Sequence, residues 1–83
     1  MTRRDRVRKA FLEIVDNQLR ANDPPETKQT LDRLIKEGYS RDEARRLIAC
    51  VVAVEISDML KSEQPFDEAR FISGLNNLPE LPE

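Results

Sequence analysis

The sequence contains no histidine and no tryptophan, only two glycines, and a single cysteine at position 50. Without histidine, one chain cannot form a Cys/His nucleophile pair or a Ser/His/Asp triad, and metal sites that need several soft ligands are excluded. One cysteine cannot form an internal disulfide, and Cys50 is expected to be a small buried hydrophobic residue. We expect no catalytic residue and no cofactor, and the composition favours a protein that is not an enzyme.

Long hydrophobic runs are also missing. The longest apolar run covers the eight residues 47–54, whereas a membrane-spanning helix needs about 20 residues. No signal-peptide pattern is visible, because charges interrupt the first apolar stretch. We therefore expect a cytoplasmic protein with no membrane partner.

The composition is instead that of a small, strongly helical protein. Charged residues make up 36% of the 83 residues and hydrophobic residues 39%, which is typical of a folded chain rather than a disordered one. This length fits a single domain, 1–83, which buries only about 60 to 65% of the surface of its unfolded chain. Because such a core is small, self-association would add stability.

The charge is distributed unevenly along the chain, whose formal net charge is −2. Residues 63–83 carry five acids against Arg70, a net charge of −4, whereas five basic residues against Asp5 give the first nine residues +4. The basic residues are candidates for nucleic-acid binding, but no aromatic side chain is interleaved for base stacking, which disfavours that partner. These candidates are Arg3, Arg4, Arg6, Arg8 and Lys9. Docking of this stretch on the acidic C-terminal segment, in the same chain or in a neighbour, is an alternative.

Hydrophobic spacing predicts four helices. The first covers about 3–21, with Thr2 and Asp5 as its capping pair. The second covers about 24–37, with Asp23 as its N-cap and Pro24 at the first helical position. The third covers about 41–61, and it is apolar on nearly all sides between residues 47 and 60, so we expect the other helices to surround it.

The fourth predicted helix covers about 67–78, and the proline-containing tail 79–83 is expected to fray. The links between the helices are short, which favours antiparallel neighbours. The predicted fold class is therefore all-α, a small bundle of four helices with a long central third helix.

The stretch LIKEGYSRDEARRL, residues 34–47, predicts a tight corner between the second and third helices. Gly38 is expected to end one helix, and Ser40 with Glu43 forms a capping box for the next. Similar corners occur in DNA-binding helix-turn-helix units and in ubiquitin-associated domains. At the position of Glu37, a helix-turn-helix unit needs an apolar residue and a ubiquitin-associated domain carries an exposed methionine. A capped corner without a binding role is therefore favoured.

Two carboxylate pairs have helical spacing: Glu13 with Asp16, and Glu55 with Asp58. If the pairs faced each other across the bundle, they could bind a divalent metal ion or support hydrolysis, although dinuclear sites of this kind usually include histidine. Glu55 lies in an apolar helix and needs a partner when buried. A structural hydrogen bond is favoured over metal binding, with four candidate partners: Gln18, Arg33, Lys36 and Arg45.

The stretch VDNQLRANDPPETKQTLDRLIKEGYSRDEARRLIA resembles a bacterial family of uncharacterised small helical proteins, a domain of unknown function. The shared features are an acid-x-Gln-Leu stretch, a Pro-Pro pair, a Thr-Leu-x-Arg-Leu stretch and a glycine before a charged helix start. The resemblance covers about 12–78 and implies a helical fold without implying an activity. Many members carry histidines near three positions that differ here: Leu12, Asp42 and Arg46.

The favoured functional hypothesis is a protein-interaction or self-associating module, for example a homodimer, because a small core gains from covering an apolar face. One alternative is a metal or hydrolytic site built from the four carboxylates. The other is nucleic-acid binding through the basic N-terminus.

Overall fold

The computed structural model describes residues 2–82 and contains four α-helices. They are α1 (Arg3–Ala21), α2 (Pro25–Lys36), α3 (Arg41–Ser62) and α4 (Glu68–Asn77). No strand is present within this part of the chain. The predicted all-α four-helix bundle is confirmed, and each predicted helix boundary lies within one residue of the observed one.

Side-chain caps define the starts of α1 and α3. The Thr2 hydroxyl accepts the Asp5 N–H at 3.2 Å, and the Thr2 N–H donates to the Asp5 carboxylate at 3.3 Å. Ser40 and Glu43 make the same reciprocal pair at 3.0 and 3.1 Å. Both predicted capping boxes are confirmed, and they satisfy N–H groups that have no partner inside the helix.

Gly38 follows Glu37, the C-cap of α2, and its backbone has the predicted left-handed conformation, with a φ of 111°. The Gly38 N–H donates to the Ile35 carbonyl at 3.0 Å, and the Tyr39 N–H donates to the Leu34 carbonyl at 3.1 Å. This pair of bonds is a Schellman motif. Tyr39 is half-buried and packs against the core, so the corner turns the chain and seals the end of α2.

The start of α2 differs from the prediction by one residue. Pro24 is the N-cap, with φ −73° and ψ 152°, and Pro25 occupies the first helical position. A residue that precedes proline is disfavoured in the helical region, so Pro24 is extended because Pro25 follows it. Asp23 therefore does not cap this helix, and no side chain caps it.

Helix α3 is the central element, since it contacts each of the other three helices. Helix α2 contacts both α1 and α4, which lie on different sides of the bundle. The largest fully buried apolar side chains form one core between the helices: Val15, Leu34, Ile48, Val51, Val52, Phe71, Leu75 and Leu78. Burying each such side chain contributes about 1.5 to 3 kcal/mol.

The buried face of α3 does not extend around the whole helix. Cys50 is exposed, so the prediction that it is buried is wrong, and Leu60 is 72% exposed. Within residues 2–82, no helix combines the length and the hydropathy that crossing a membrane requires. In the predicted frayed tail, Leu81 is exposed, whereas Glu83 lies outside the described residues.

Candidate functional site

An open groove with a volume of about 680 Å³ runs between α1 and α3. Its volume lies within the size range of small-molecule sites. Helix α3 contributes Arg46, Ala49, Cys50 and Ala53, and α1 contributes Arg3, Arg4, Val7, Arg8, Phe11 and Leu12. We call this surface the α1/α3 groove.

The spacing of the lining residues explains why they share one surface. Residues three and four apart lie on one face of a helix, and the lining positions of α1 and of α3 follow this spacing. The side chains of Ala49, Cys50 and Ala53 are small and leave room beside α1. Residues 3–10 of α1 are all exposed, and Val7 is 48% exposed, so this half of α1 does not cover α3.

The groove has an apolar floor and a basic rim. Phe11 and Leu12 are half-buried and Ala49 is buried, whereas the arginines are exposed. Four guanidinium groups line the groove, and one of them, Arg46, pairs with Asp42 at 3.1 Å. Within residues 2–82, no ion pair includes the other three: Arg3, Arg4 and Arg8.

The predicted basic stretch is therefore divided by the fold. Three of its members line the groove, whereas Arg6 and Lys9 are exposed on α1 outside it. A duplex-binding surface gains affinity from phosphate contacts along a charged face, but here the arginines surround an apolar floor. The groove therefore combines an apolar surface with positive charge instead of presenting a uniformly charged face.

Asp16 and Arg45 hold α1 against α3. The Arg45 Nε donates to Asp16 Oδ1 and its Nη2 donates to Asp16 Oδ2, both at 2.9 Å, while its Nη1 donates to Asp42 at 3.0 Å. The hydrogen bond to Asp16 raises the pKa of the Arg45 guanidinium above its ordinary value. This bidentate pair fixes the relative position of the two helices that form the groove.

The four predicted carboxylates do not form a joint metal site. Glu13 is exposed, Asp16 is occupied by Arg45, and Glu55 with Asp58 lies about ten residues further along α3 from Arg45, or about 15 Å. Within residues 2–82, no three acidic or cysteine side chains are grouped so that they could hold a metal ion. Arg45 pairs with Asp16, and Arg70 pairs with both Glu55 and Asp58, so the two predicted carboxylate pairs do not face each other across one site.

Arg70 on α4 is the partner of Glu55. Its Nε lies 3.3 Å from Glu55 Oε1, and its Nη2 pairs with Asp58. The four partners considered from the sequence were wrong: Arg45 binds Asp16, Arg33 donates to the Leu75 carbonyl, Gln18 accepts from Thr27, and Lys36 is exposed. Arg70 was missed because its α4 position beside α3 depends on the tertiary fold.

Burial raises the pKa of the Glu55 carboxyl above its ordinary value, Arg70 lowers it in part, and the nearby Asp58 and Asp67 carboxylates raise it further. The Glu55 side chain is only 7% exposed. A carboxyl whose pKa is higher in the folded state binds its proton more tightly there than in the unfolded chain. Its contribution to stability therefore falls as the pH rises from the unfolded pKa through the folded pKa.

A second depression, of about 540 Å³, lies between the end of α3 and the start of α4. Helix α3 lines it with Glu55, Asp58, Met59 and Ser62. The segment 63–68, which we call the α3/α4 linker and which includes the first residue of α4, adds Gln64, Pro65, Phe66, Asp67 and Glu68. The Asp67 carboxylate also caps α4, since its Oδ1 accepts the Arg70 N–H at 3.1 Å. We call it the acidic cleft, because four carboxylates line it against the single Arg70.

Comparison with known proteins found no family model, no curated protein and no solved structure that matches this chain.

Proposed function

We propose that this chain is a protein-interaction module and that the α1/α3 groove binds an acidic, amphipathic segment of protein. One observation carries the proposal: an apolar floor and four arginines meet in a single open groove. Apolar side chains of the partner would cover the floor, while its carboxylates would pair with the guanidinium groups.

The energetics of the groove agree with this choice of partner. A chain of this size has a small core, so a partner that covers an exposed apolar face adds stability, by an amount that rises with the logarithm of the partner concentration. Arginine is also well suited to an interface, because its planar guanidinium can bind a carboxylate through two parallel hydrogen bonds. A basic segment would be repelled by the same four side chains.

The resemblance to the bacterial family of small helical proteins adds a second argument, and we propose membership of that family. The resemblance places histidines of many members near three positions of this chain, and two of these, Leu12 and Arg46, line the groove. The third, Asp42, pairs with Arg46. We also propose a cytoplasmic location, where the exposed Cys50 stays reduced.

Cys50 provides the experimental test, because its exposed thiol lies in the groove. The probe is a synthetic amphipathic helix with leucine on one face and glutamate on the other; its counterpart carries lysine in place of glutamate. The glutamate peptide is expected to slow maleimide labelling of Cys50, and the lysine peptide is not. Equal protection by both peptides, or by neither, contradicts the proposal.

A matched pair of variants separates the groove from general surface effects. Val7→Glu places a carboxylate in the groove and should weaken protection by the glutamate peptide about tenfold or more, which corresponds to about 1.4 kcal/mol. Ile35→Glu makes the same change at a similarly exposed apolar residue on α2, outside the groove, and should leave protection unchanged. Protection by a duplex DNA oligonucleotide instead of the glutamate peptide would favour the nucleic-acid alternative.

A further inference from the structure

The α3/α4 linker has the chemistry that the α1/α3 groove requires. Its sequence, EQPFDE, places Pro65 and Phe66 between three carboxylates, Glu63, Asp67 and Glu68. All six residues are exposed, and Phe66 is 41% exposed although one side of its ring packs against Phe71, with centroids 5.6 Å apart. The linker is therefore an acidic segment with an exposed aromatic side chain.

The linker cannot enter the groove of its own chain. Helix α3 lines the acidic cleft, which lies beside the linker, with residues 55, 58, 59 and 62. It lines the groove with residues 46, 49, 50 and 53. At about 100° per residue, these two sets centre on opposite sides of α3, about 180° apart. In agreement with this placement, α1 contacts α2 and α3, while α4 contacts α2 and α3 on the other side of the bundle.

We propose that the α1/α3 groove of one copy binds the α3/α4 linker of a second copy, so that the chain self-associates head to tail. The argument is charge complementarity: the groove carries four arginines and the linker carries three carboxylates around an exposed phenylalanine. Arg3, Arg4 and Arg8 would pair with the linker carboxylates, and the Phe66 ring would contact the apolar floor. This inference rests on the proposed function and names its partner.

The geometry also determines the type of assembly. A symmetric dimer through two grooves would bring two sets of arginines together, which is unfavourable. Groove-to-linker binding joins two different surfaces, so every added copy presents a free groove at one end and a free linker at the other. The assembly grows with protein concentration, and because charge pairs contribute to it, it weakens as salt rises.

Sedimentation velocity of the full chain over a range of concentrations is the first measurement. We expect the average mass to rise with concentration at low salt and to fall towards that of one chain at high salt. Maleimide labelling of Cys50 should slow over the same concentration range, because Cys50 lies in the groove. A single-chain mass at every concentration at low salt overturns the inference.

Two charge variants each remove one of the two surfaces. The groove variant, Arg4→Glu/Arg8→Glu, changes the summed charge of the four groove positions from +4 to 0. The linker variant, Glu63→Lys/Glu68→Lys, changes the net charge of the linker from −3 to +1. Each variant alone is expected to sediment as one chain. Arg6→Glu/Lys9→Glu is the matched control, since it makes the same charge change on α1 outside the groove and should still associate.

Mixing the two charge variants gives the sharpest result. The first keeps an intact linker and the second keeps an intact groove, so the mixture should recover the association that each variant alone has lost. Circular dichroism of each variant checks that it is folded. A mixture of folded variants that remains single-chain, or a folded groove variant that associates like the wild type, overturns the inference.

The outcomes distinguish this inference from the proposed function. If the wild-type chain stays single at every concentration while the glutamate peptide still protects Cys50, self-association is wrong and the proposed function stands. If the glutamate peptide also fails to protect Cys50, both are wrong.

Discussion

Replacing Gly74 by alanine tests how closely α4 packs on α3. A Cβ atom at Gly74 would lie 2.7 Å from Cγ1 of Val51, whose side chain is almost completely buried. Carbon atoms pack favourably at about 3.5 to 4.0 Å, so one of the two helices must shift by about 1 Å. Overpacking of this kind costs about 1 to 3 kcal/mol.

Helix propensity opposes this cost, because alanine is favoured over glycine inside a helix by about 1 kcal/mol. The net effect of Gly74→Ala is therefore a destabilisation of about 0 to 2 kcal/mol.

Val51→Ala alone should destabilise the fold by about 2 to 3 kcal/mol, from about 0.8 kcal/mol per carbon removed plus the cost of the cavity that remains. In that background the clash is absent, so Gly74→Ala should be stabilising by about 0.5 to 1 kcal/mol.

Urea unfolding of the four proteins, followed by far-ultraviolet circular dichroism, measures this change of sign. Ser73→Ala, on the exposed side of α4, is the control for helix propensity and should change stability by no more than about 0.5 kcal/mol in either background. If Gly74→Ala has the same effect with valine and with alanine at position 51, contact between these two residues does not determine the packing of α4, and the reasoning is refuted.

Two further predictions concern the corner and the buried carboxylate. Gly38→Ala should destabilise the fold by about 1 to 3 kcal/mol, because φ is 111° there although no atom lies within 4 Å of the new Cβ; an unchanged urea midpoint would contradict this. Glu55→Gln should be more stable than the wild type at neutral pH, since burial raises the Glu55 pKa, and the difference should vanish as pH falls below the ordinary carboxyl range. Urea midpoints measured across that range check this prediction, and a pH-independent difference would contradict it.

The helices could be predicted from the sequence because local chemistry determines their ends. Thr2 with Asp5, and Ser40 with Glu43, form capping boxes within four residues of chain, and Gly38 supplies the left-handed residue that ends the corner. Such bonds depend little on the rest of the fold. The one-residue shift at the start of α2 has an equally local cause, because Pro24 precedes another proline and is therefore extended.

The candidate site could be predicted only in part. The basic stretch was visible in the sequence, but which of its residues share a surface with Cys50 depends on how α1 crosses α3. The apolar pattern on nearly all sides of α3 predicts a buried Cys50, but such a pattern does not show which side of the helix lacks a neighbour. The sequence likewise does not show which helix packs beside Glu55, so it does not identify Arg70 of α4 as the partner.

Two unfavourable features coincide at the N-terminal half of α1. Arginines at the first two helical positions, Arg3 and Arg4, oppose the positive end of the helix dipole, each by about 0.3 to 1 kcal/mol. Beside them, Val7 and the floor of the groove leave apolar surface exposed in a chain with a small core. The acidic, amphipathic occupant that we propose would relieve both at once, because its carboxylates would neutralise the arginines and its apolar side chains would cover the floor. Residues that lower stability are expected where a surface serves binding. Here the unfavourable arginines and the exposed apolar surface both lie on the α1/α3 groove.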